Sequence, residues 1–140
     1  MNSLRSAARR PGLSRVVLDA SALLAVLHAE RGAEKMTPAL LAAALISAVN
    51  LAEVQTKLVS RGVRPGDAWD AALSVVCEVV PFSKEHARKA GDLALQTRSL
   101  GLGLGDRACL ALALSLGVPV YTADASWSRL KIGAAIHVIR

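Results

Sequence analysis

Four acids are the residues of this chain best suited to chemistry: Asp19, Glu53, Asp106 and Asp124. Each stands beside apolar or glycine-rich sequence, not in a polar stretch. Asp19 closes the run Val16-Val17-Leu18, and Glu53 is flanked by Leu51, Ala52 and Val54. Asp106 follows the turn LGLGLG of residues 100–105, and Asp124 comes just after Val120-Tyr121-Thr122. Carboxylates gathered in one place repel, and their pKa values rise unless a cation sits among them. Mg2+ and Mn2+ are hard ions that take carboxylate and water oxygens. Four converging acids would therefore make a divalent-metal site, able to activate water and to neutralise charge on a phosphate.

Other chemistries lack their residues. His28, His86 and His137 are scattered, and no His/Cys set has zinc spacing. There is no Ser/Cys–His arrangement and no phosphate loop of the GxxxxGK type, and the glycines of residues 100–105 have the wrong spacing for a dinucleotide fingerprint. Each acid also has a plainer role open to it. Asp106 and Asp124 are natural helix or turn caps, and Glu53 has Lys57 four residues on for a surface pair. Ser21 and Asn50 are expected to be caps, Ser21 with a smaller prospect of holding metal or water. Arg107 is expected either to touch phosphate or to be solvated or salt-bridged, and Trp127 to pack in the core. The remaining acids fall mostly on helix faces and polar turns.

The elements that must position the four acids follow from pattern and punctuation. Strands are expected at Arg15–Asp19, Leu45–Ser47, Glu78–Phe82, Pro119–Thr122 and Ala135–Ile139. Apolar residues at helical spacing predict helices over Ala20–Ala29, from Pro38 behind the cap Thr37, over Asn50–Arg61, from Pro65, over Lys84–Ser99 behind the cap Ser83, and over Asp106–Leu116. Residues 124–130 read as a turn or short helix. Strands alternating with helices predict a three-layer α/β/α sandwich with a central, mostly parallel sheet of about five strands. Asp19, Glu53, Asp106 and Asp124 then all fall at one edge of the sheet, the C-terminal strand ends where such folds bind ligands.

A length of 140 residues, 53% of them hydrophobic and only four aromatic, implies one domain with an aliphatic core. The stretch Ala39–Val49 has 11 residues, and a spanning helix needs about 20, so no membrane segment is expected. Cys77 and Cys109 lie in apolar runs and are expected to be reduced core residues of a cytoplasmic protein. The net charge is +6, but Arg5, Arg9, Arg10 and Arg15 precede any acid, and setting those four aside leaves +2. Residues 1–14 are expected to be a basic, flexible leader and residues 15–140 the folded domain. A basic balance suits a nucleic-acid partner, weakly so when it sits in a tail.

VVLDASALLAVL, ISAVNLAEV, LGLGDRACLALALSLGVPVYTAD and DASWSRL resemble, in order and spacing, the successive motifs of PIN-domain proteins, and among them the VapC-type toxins of toxin–antitoxin pairs. The resemblance spans residues 16–139. It implies a Mg2+- or Mn2+-dependent endoribonuclease, with Asp19 and Asp106 as principal metal ligands and Glu53 and Asp124 completing the set directly or through water. It also implies an RNA substrate, a homodimer and a cognate antitoxin. Leu23, Leu24, Val26, Leu27, Leu40 and Leu41 of the first two helices would offer the antitoxin a groove, although most of them are expected to be core. Relatives often carry a hydroxyl residue shortly before the GD pair, where this chain has Gly103 and Leu104. The alternatives are a non-catalytic PIN-like RNA-binding module and a metal-dependent DNA nuclease.

Overall fold

Val16, Val17 and Leu18 carry no polar side chain, so they need cover on both faces, and they form the middle strand of the sheet. The structure is a computed structural model that describes residues 14–140, so the expected basic leader lies outside the described residues apart from Ser14. The elements are β1 (Val16–Leu18), α1 (Ala20–Leu27), α2 (Pro38–Ala42), β2 (Ala44–Ser47), α3 (Ala48–Ser60), α4 (Pro65–Val75), β3 (Glu78–Val80), α5 (Lys84–Asp92), α6 (Ala94–Thr97), α7 (Leu104–Leu116), β4 (Val120–Thr122) and β5 (Ile136–Val138). Short 3-10 turns cover Ala33–Lys35, Arg98–Leu100 and Ala125–Arg129.

The five strands lie in the order β3-β2-β1-β4-β5, and every pairing is parallel. The expected sandwich is therefore present, with a wholly parallel sheet among the described residues. Alternation along the strands divides the core in two. Val16, Leu18, Ala44 and Ile46 pack with α1, α3 and α4 on one face. Val17, Leu45 and Val120 pack with α7, Leu93 and Trp127 on the other. Trp127 is fully buried, as expected; Cys109 is buried and Cys77 only half-buried, both free. Leu23 and Leu24 are core, and Val26, Leu27, Leu40 and Leu41 pack against its rim. Among the described residues no helix is long and apolar enough to cross a membrane.

Two local readings need correction. Ser21 does not cap α1. The strand ends one residue earlier than expected, at Leu18, and Asp19 takes the cap, its Oδ1 accepting the Ala22 N–H at 2.8 Å. The helix expected over Lys84–Ser99 breaks at Leu93 into α5 and α6 and ends in a 3-10 turn. Gly91 and Asp92 are weak helix formers there. The buried Thr97 hydroxyl donates to the Leu93 carbonyl at 2.9 Å, and such back-bonding bends a helix.

The strand order reverses between β1 and β4, so connections leave these neighbours in opposite directions and open a crevice at their C-terminal ends. A separate cleft, lined by Ala113, Leu114, Pro119 and Ala135 among others, lies at the opposite, N-terminal edge and carries no ionisable side chain.

Two left-handed glycines separate backbone strain from crowding. Gly117 closes α7 at φ 66° with open space around it. Gly32, at φ 97°, lies against the end of β5, where a Cβ would run into the Ile139 carbonyl. Gly117→Ala should cost about 1 kcal/mol, from the left-handed backbone alone. Gly32→Ala should cost more than about 2 kcal/mol, because overpacking adds to strain. Equal losses in thermal denaturation would refute the close approach of residue 32 to β5.

Candidate active site

The crevice between β1 and β4 is built around Asp19. It follows the strand directly and is only 3% exposed. Both its oxygens accept hydrogen bonds: the Ser21 hydroxyl stands at 2.8 Å from Oδ1 and 2.9 Å from Oδ2, and the Thr122 hydroxyl donates to Oδ2 at 2.6 Å. The hydroxyls are themselves fixed, since the Ala123 N–H donates to Ser21 Oγ at 2.9 Å and the Asp124 N–H to Thr122 Oγ1 at 3.0 Å. A carboxylate on β1 is thereby tied to the end of β4. Burial pushes its pKa up to about 6; the hydrogen bonds from Thr122, Ala22 and Ser21 oppose the shift, and the charge of Asp106 adds to it.

Asp106 sits in the first turn of α7, half-buried, where a helix N-terminus favours negative charge. Its Oδ2 faces the Gly103 N–H at 3.4 Å. Its pKa is nevertheless raised, chiefly by burial and further by the charges of Glu53 and Asp124, against the Gly103 N–H and the weaker pull of the Lys57 ammonium. Asp106 thus feels the charges of Glu53 and Asp124 and adds its own to that of Asp19. The structure brings all four predicted residues to one edge, within electrostatic reach through Asp106.

The plainer roles are filled in part. Asp124 does cap its turn, its Oδ1 accepting the Ser126 N–H at 2.9 Å and the Ser126 hydroxyl at 2.7 Å, while its side chain stays exposed. Glu53 does not pair with Lys57. Its Oε1 instead accepts the Asn50 amide at 2.8 Å. Asn50 is not a cap either; Ser47 caps α3, and Asn50 is a buried residue of its first turn. Arg107 is half-buried, its Nη1 donating to the Ala90 carbonyl at 2.9 Å, and it forms no salt bridge among the described residues. Cys109 lies beneath the acids; burial, then Asp19, Asp106 and Glu53, push its thiol well above the ordinary value, so it is no nucleophile.

Thr122, Asn50 and Gly105 belong to the site and were not legible as functional residues. Thr122 carried one usable signal, its place two residues before Asp124 at a strand end.

The set suits a hard divalent cation in donor type and charge: all oxygen, four carboxylates, with raised pKa values on Asp19 and Asp106 that a cation would relieve. Among the described residues no three His, Cys, Asp or Glu side chains stand close enough together to share one ion as placed. Two of the acids, Asp106 and Glu53, are on helices meeting from opposite faces of the sheet.

Residues 16–133 match the family model described as PIN domain. No curated protein matches the chain by sequence. Among solved structures, similar chains occur in VapBC2 from Rickettsia felis bound to a DNA fragment from its promoter (20% identity, 91% of this chain and 100% of that one, TM-score 0.69). They also occur in DNA-bound VapBC from Salmonella typhimurium (16% identity, 90% and 98%, TM-score 0.71). A third is VapC20 of Mycobacterium tuberculosis, a sarcin-ricin loop cleaving toxin (18% identity, 86% and 98%, TM-score 0.67). At these identities the likeness is one of fold.

Burial of Asp19 has a thermodynamic consequence. Its proton is held more tightly in the folded chain than in the unfolded one, where the pKa is 3.8. This favours folding fully below the unfolded value, and the advantage is lost as pH rises through about 6. In chelator, stability should therefore fall by roughly 2 kcal/mol between about pH 4 and pH 7 from this group alone. Asp19→Asn should remove that part of the slope and melt higher than the parent at neutral pH. An unchanged slope in the variant would show that Asp19 is not the buried titrating group.

Proposed function

The chain belongs to the PIN-domain family, and from that premise we propose that it is a divalent-metal-dependent endoribonuclease of the VapC toxin type. One observation supports the reading: Asp19, Glu53, Asp106 and Asp124 lie at the crevice where the sheet order reverses, and Asp19 and Asp106 have pKa values raised by burial and by neighbouring carboxylates.

Asp19 and Asp106 would hold Mg2+ or Mn2+, with Glu53 and Asp124 completing the set directly or through water. The bound ion would supply Lewis-acid charge for in-line displacement at a phosphodiester. The chain's own residues prepare for this. Ser21, Thr122 and the Ala22 N–H hold Asp19 in one orientation, and Asn50 holds Glu53. Asp124, exposed at the rim, is the carboxylate nearest to solvent. A cluster of this charge repels RNA phosphate unless a cation is present, so the acids make cleavage conditional on metal.

RNA as substrate is supported by the fold shared with a toxin that cleaves the sarcin-ricin loop. An antitoxin partner is supported by the fold shared with VapBC assemblies. Val59, Trp69 and Leu73 on α3 and α4 are large apolar side chains 39–43% exposed, and together with the rim residues Val26, Leu27, Leu40 and Leu41 they offer surface for that antitoxin or for a second copy of the chain in a homodimer. Free cysteines suit a cytoplasmic setting.

Purified protein should cut a pool of structured RNA in Mg2+ or Mn2+ and not in excess EDTA. Asp19→Asn and Asp106→Asn should each lower the rate at least about a hundredfold while remaining folded. Cutting at the parental rate by either variant would overturn the assignment. Equal or faster cutting of single-stranded DNA would make the enzyme a DNA nuclease, and RNA binding without cutting in any metal would make it a non-catalytic module.

A further inference from the structure

Glu53 is reached by two residues from opposite sides. Asn50, one turn earlier on α3 and 1% exposed, donates from Nδ2 to Glu53 Oε1 at 2.8 Å and to the Gly105 carbonyl at 2.9 Å. Its Oδ1 is buried without a partner among the described residues. The orientation of this amide is therefore set by the two acceptors: turned over, it would place an oxygen against Glu53 and against the carbonyl. A buried asparagine that leaves its acceptor idle is being held for its two N–H groups.

The other side is Gly105, in the first turn of α7 directly before Asp106. A Cβ there would lie 2.5 Å from both Glu53 carboxylate oxygens and 2.6 Å from Cδ. The Glu53 carboxylate thus rests on the bare Cα of α7, pinned from behind by an amide that also grips the same peptide. Gly105 lies within a regular helix, not in a left-handed turn, so its backbone does not require glycine. The space does.

We propose that Asn50 and Gly105 are positioning residues that act as one clamp on Glu53, fixing its carboxylate beside Asp106 and fastening α3 to the mouth of α7. Neither touches substrate in this scheme; both act through Glu53. The clamp sets the distance between two acids carried by helices from opposite faces of the sheet, a distance that no single element fixes. Its value for metal binding rests on the nuclease reading above, whereas its geometry does not.

The experiment crosses Gly105→Ala with Glu53→Ala and with Asn50→Ala. Each protein is melted in EDTA and then titrated with Mn2+ alone, free Mn2+ being read by electron paramagnetic resonance. In an unobstructed helix alanine is more favourable than glycine, so Gly105→Ala would raise the melting temperature. Here it should lower it by roughly 3 °C, because the new methyl meets the Glu53 carboxylate. In the Glu53→Ala or Asn50→Ala background, where the carboxylate is gone or free to swing away, the sign should reverse to a small rise. Mn2+ should bind about tenfold more weakly to Gly105→Ala and to Asn50→Ala than to the parent. Glu53→Asp, one methylene shorter, should restore part of the affinity lost in Gly105→Ala. A rise in melting temperature for Gly105→Ala in the parent, or the same fall in all three backgrounds, would overturn the clamp. A sign reversal in a parent that binds no Mn2+ would uphold the clamp and overturn the metal reading.

Discussion

A carboxylate buried at the tip of the central strand is the constraint on which the rest of this molecule depends. Asp19 is removed from water by the same packing that makes β1 the middle of the sheet, and removal of a charge from water is costly unless hydrogen bonds or a counter-charge replace the lost solvation. The fold supplies donors from three places: the first turn of α1, Ser21 within that turn, and Thr122 at the end of β4. The last is possible only because β4 lies beside β1, in register Leu18 with Tyr121. Strand order and carboxylate solvation are therefore one problem with one solution. An interaction 103 residues apart in sequence joins the two halves of the sheet at the point where its direction of winding reverses.

These donors offset the cost only in part, since the Asp19 pKa remains raised to about 6. Asp106 compounds the problem instead of relieving it: its charge raises the Asp19 pKa further, and its own pKa is raised by burial and by the charges of Glu53 and Asp124. Lys57 is the cation that acts on Asp106, and it is exposed, so water screens it. A chain selected for stability alone would place an apolar residue at one or more of these positions. Carboxylates kept together at a cost to folding are the mark of a site with another purpose.

How much of this was legible in the sequence can be argued from particular residues. The place of the four acids at one sheet edge was, because an acid directly after a buried strand or at the mouth of an apolar helix breaks a local hydrophobic pattern, and such breaks are visible one residue at a time. The sheet was, because short apolar runs alternate with segments of helical spacing. The residues that place the acids were not. Thr122 looks like any β-branched strand residue until β1 and β4 are paired. Asn50 looks like a cap because Asn is good at capping; that it is a buried donor depends on α7 arriving from the far side of the sheet. Gly105 is one glycine among three in residues 100–105, and what distinguishes it is a neighbour from α3. The partner of Arg107 is hidden for the same reason, since it is a carbonyl on α5. Ser21 and Asp19 exchanged the cap because both types cap well and the strand ended one residue early.

The four acids also differ in how firmly they are held, and the order is informative. Asp19 is fixed by strands and buried. Glu53 and Asp106 are half-buried and carried by packed helices that the Asn50 amide joins to the Gly105 carbonyl. Asp124 is exposed and held by its own turn through Ser126. Rigidity thus declines from the sheet toward solvent. The inner end can define where positive charge must sit, because a buried, over-determined carboxylate cannot follow a ligand. The outer end can adjust, because the hydrogen bonds of Asp124 are local to one turn and can re-form after a small movement. On the nuclease reading proposed above, a site that fixes a small ion and admits a large, flexible polyanion from one side would use this gradient, and the fold produces it by drawing its acids from a strand end, two helices and a surface turn.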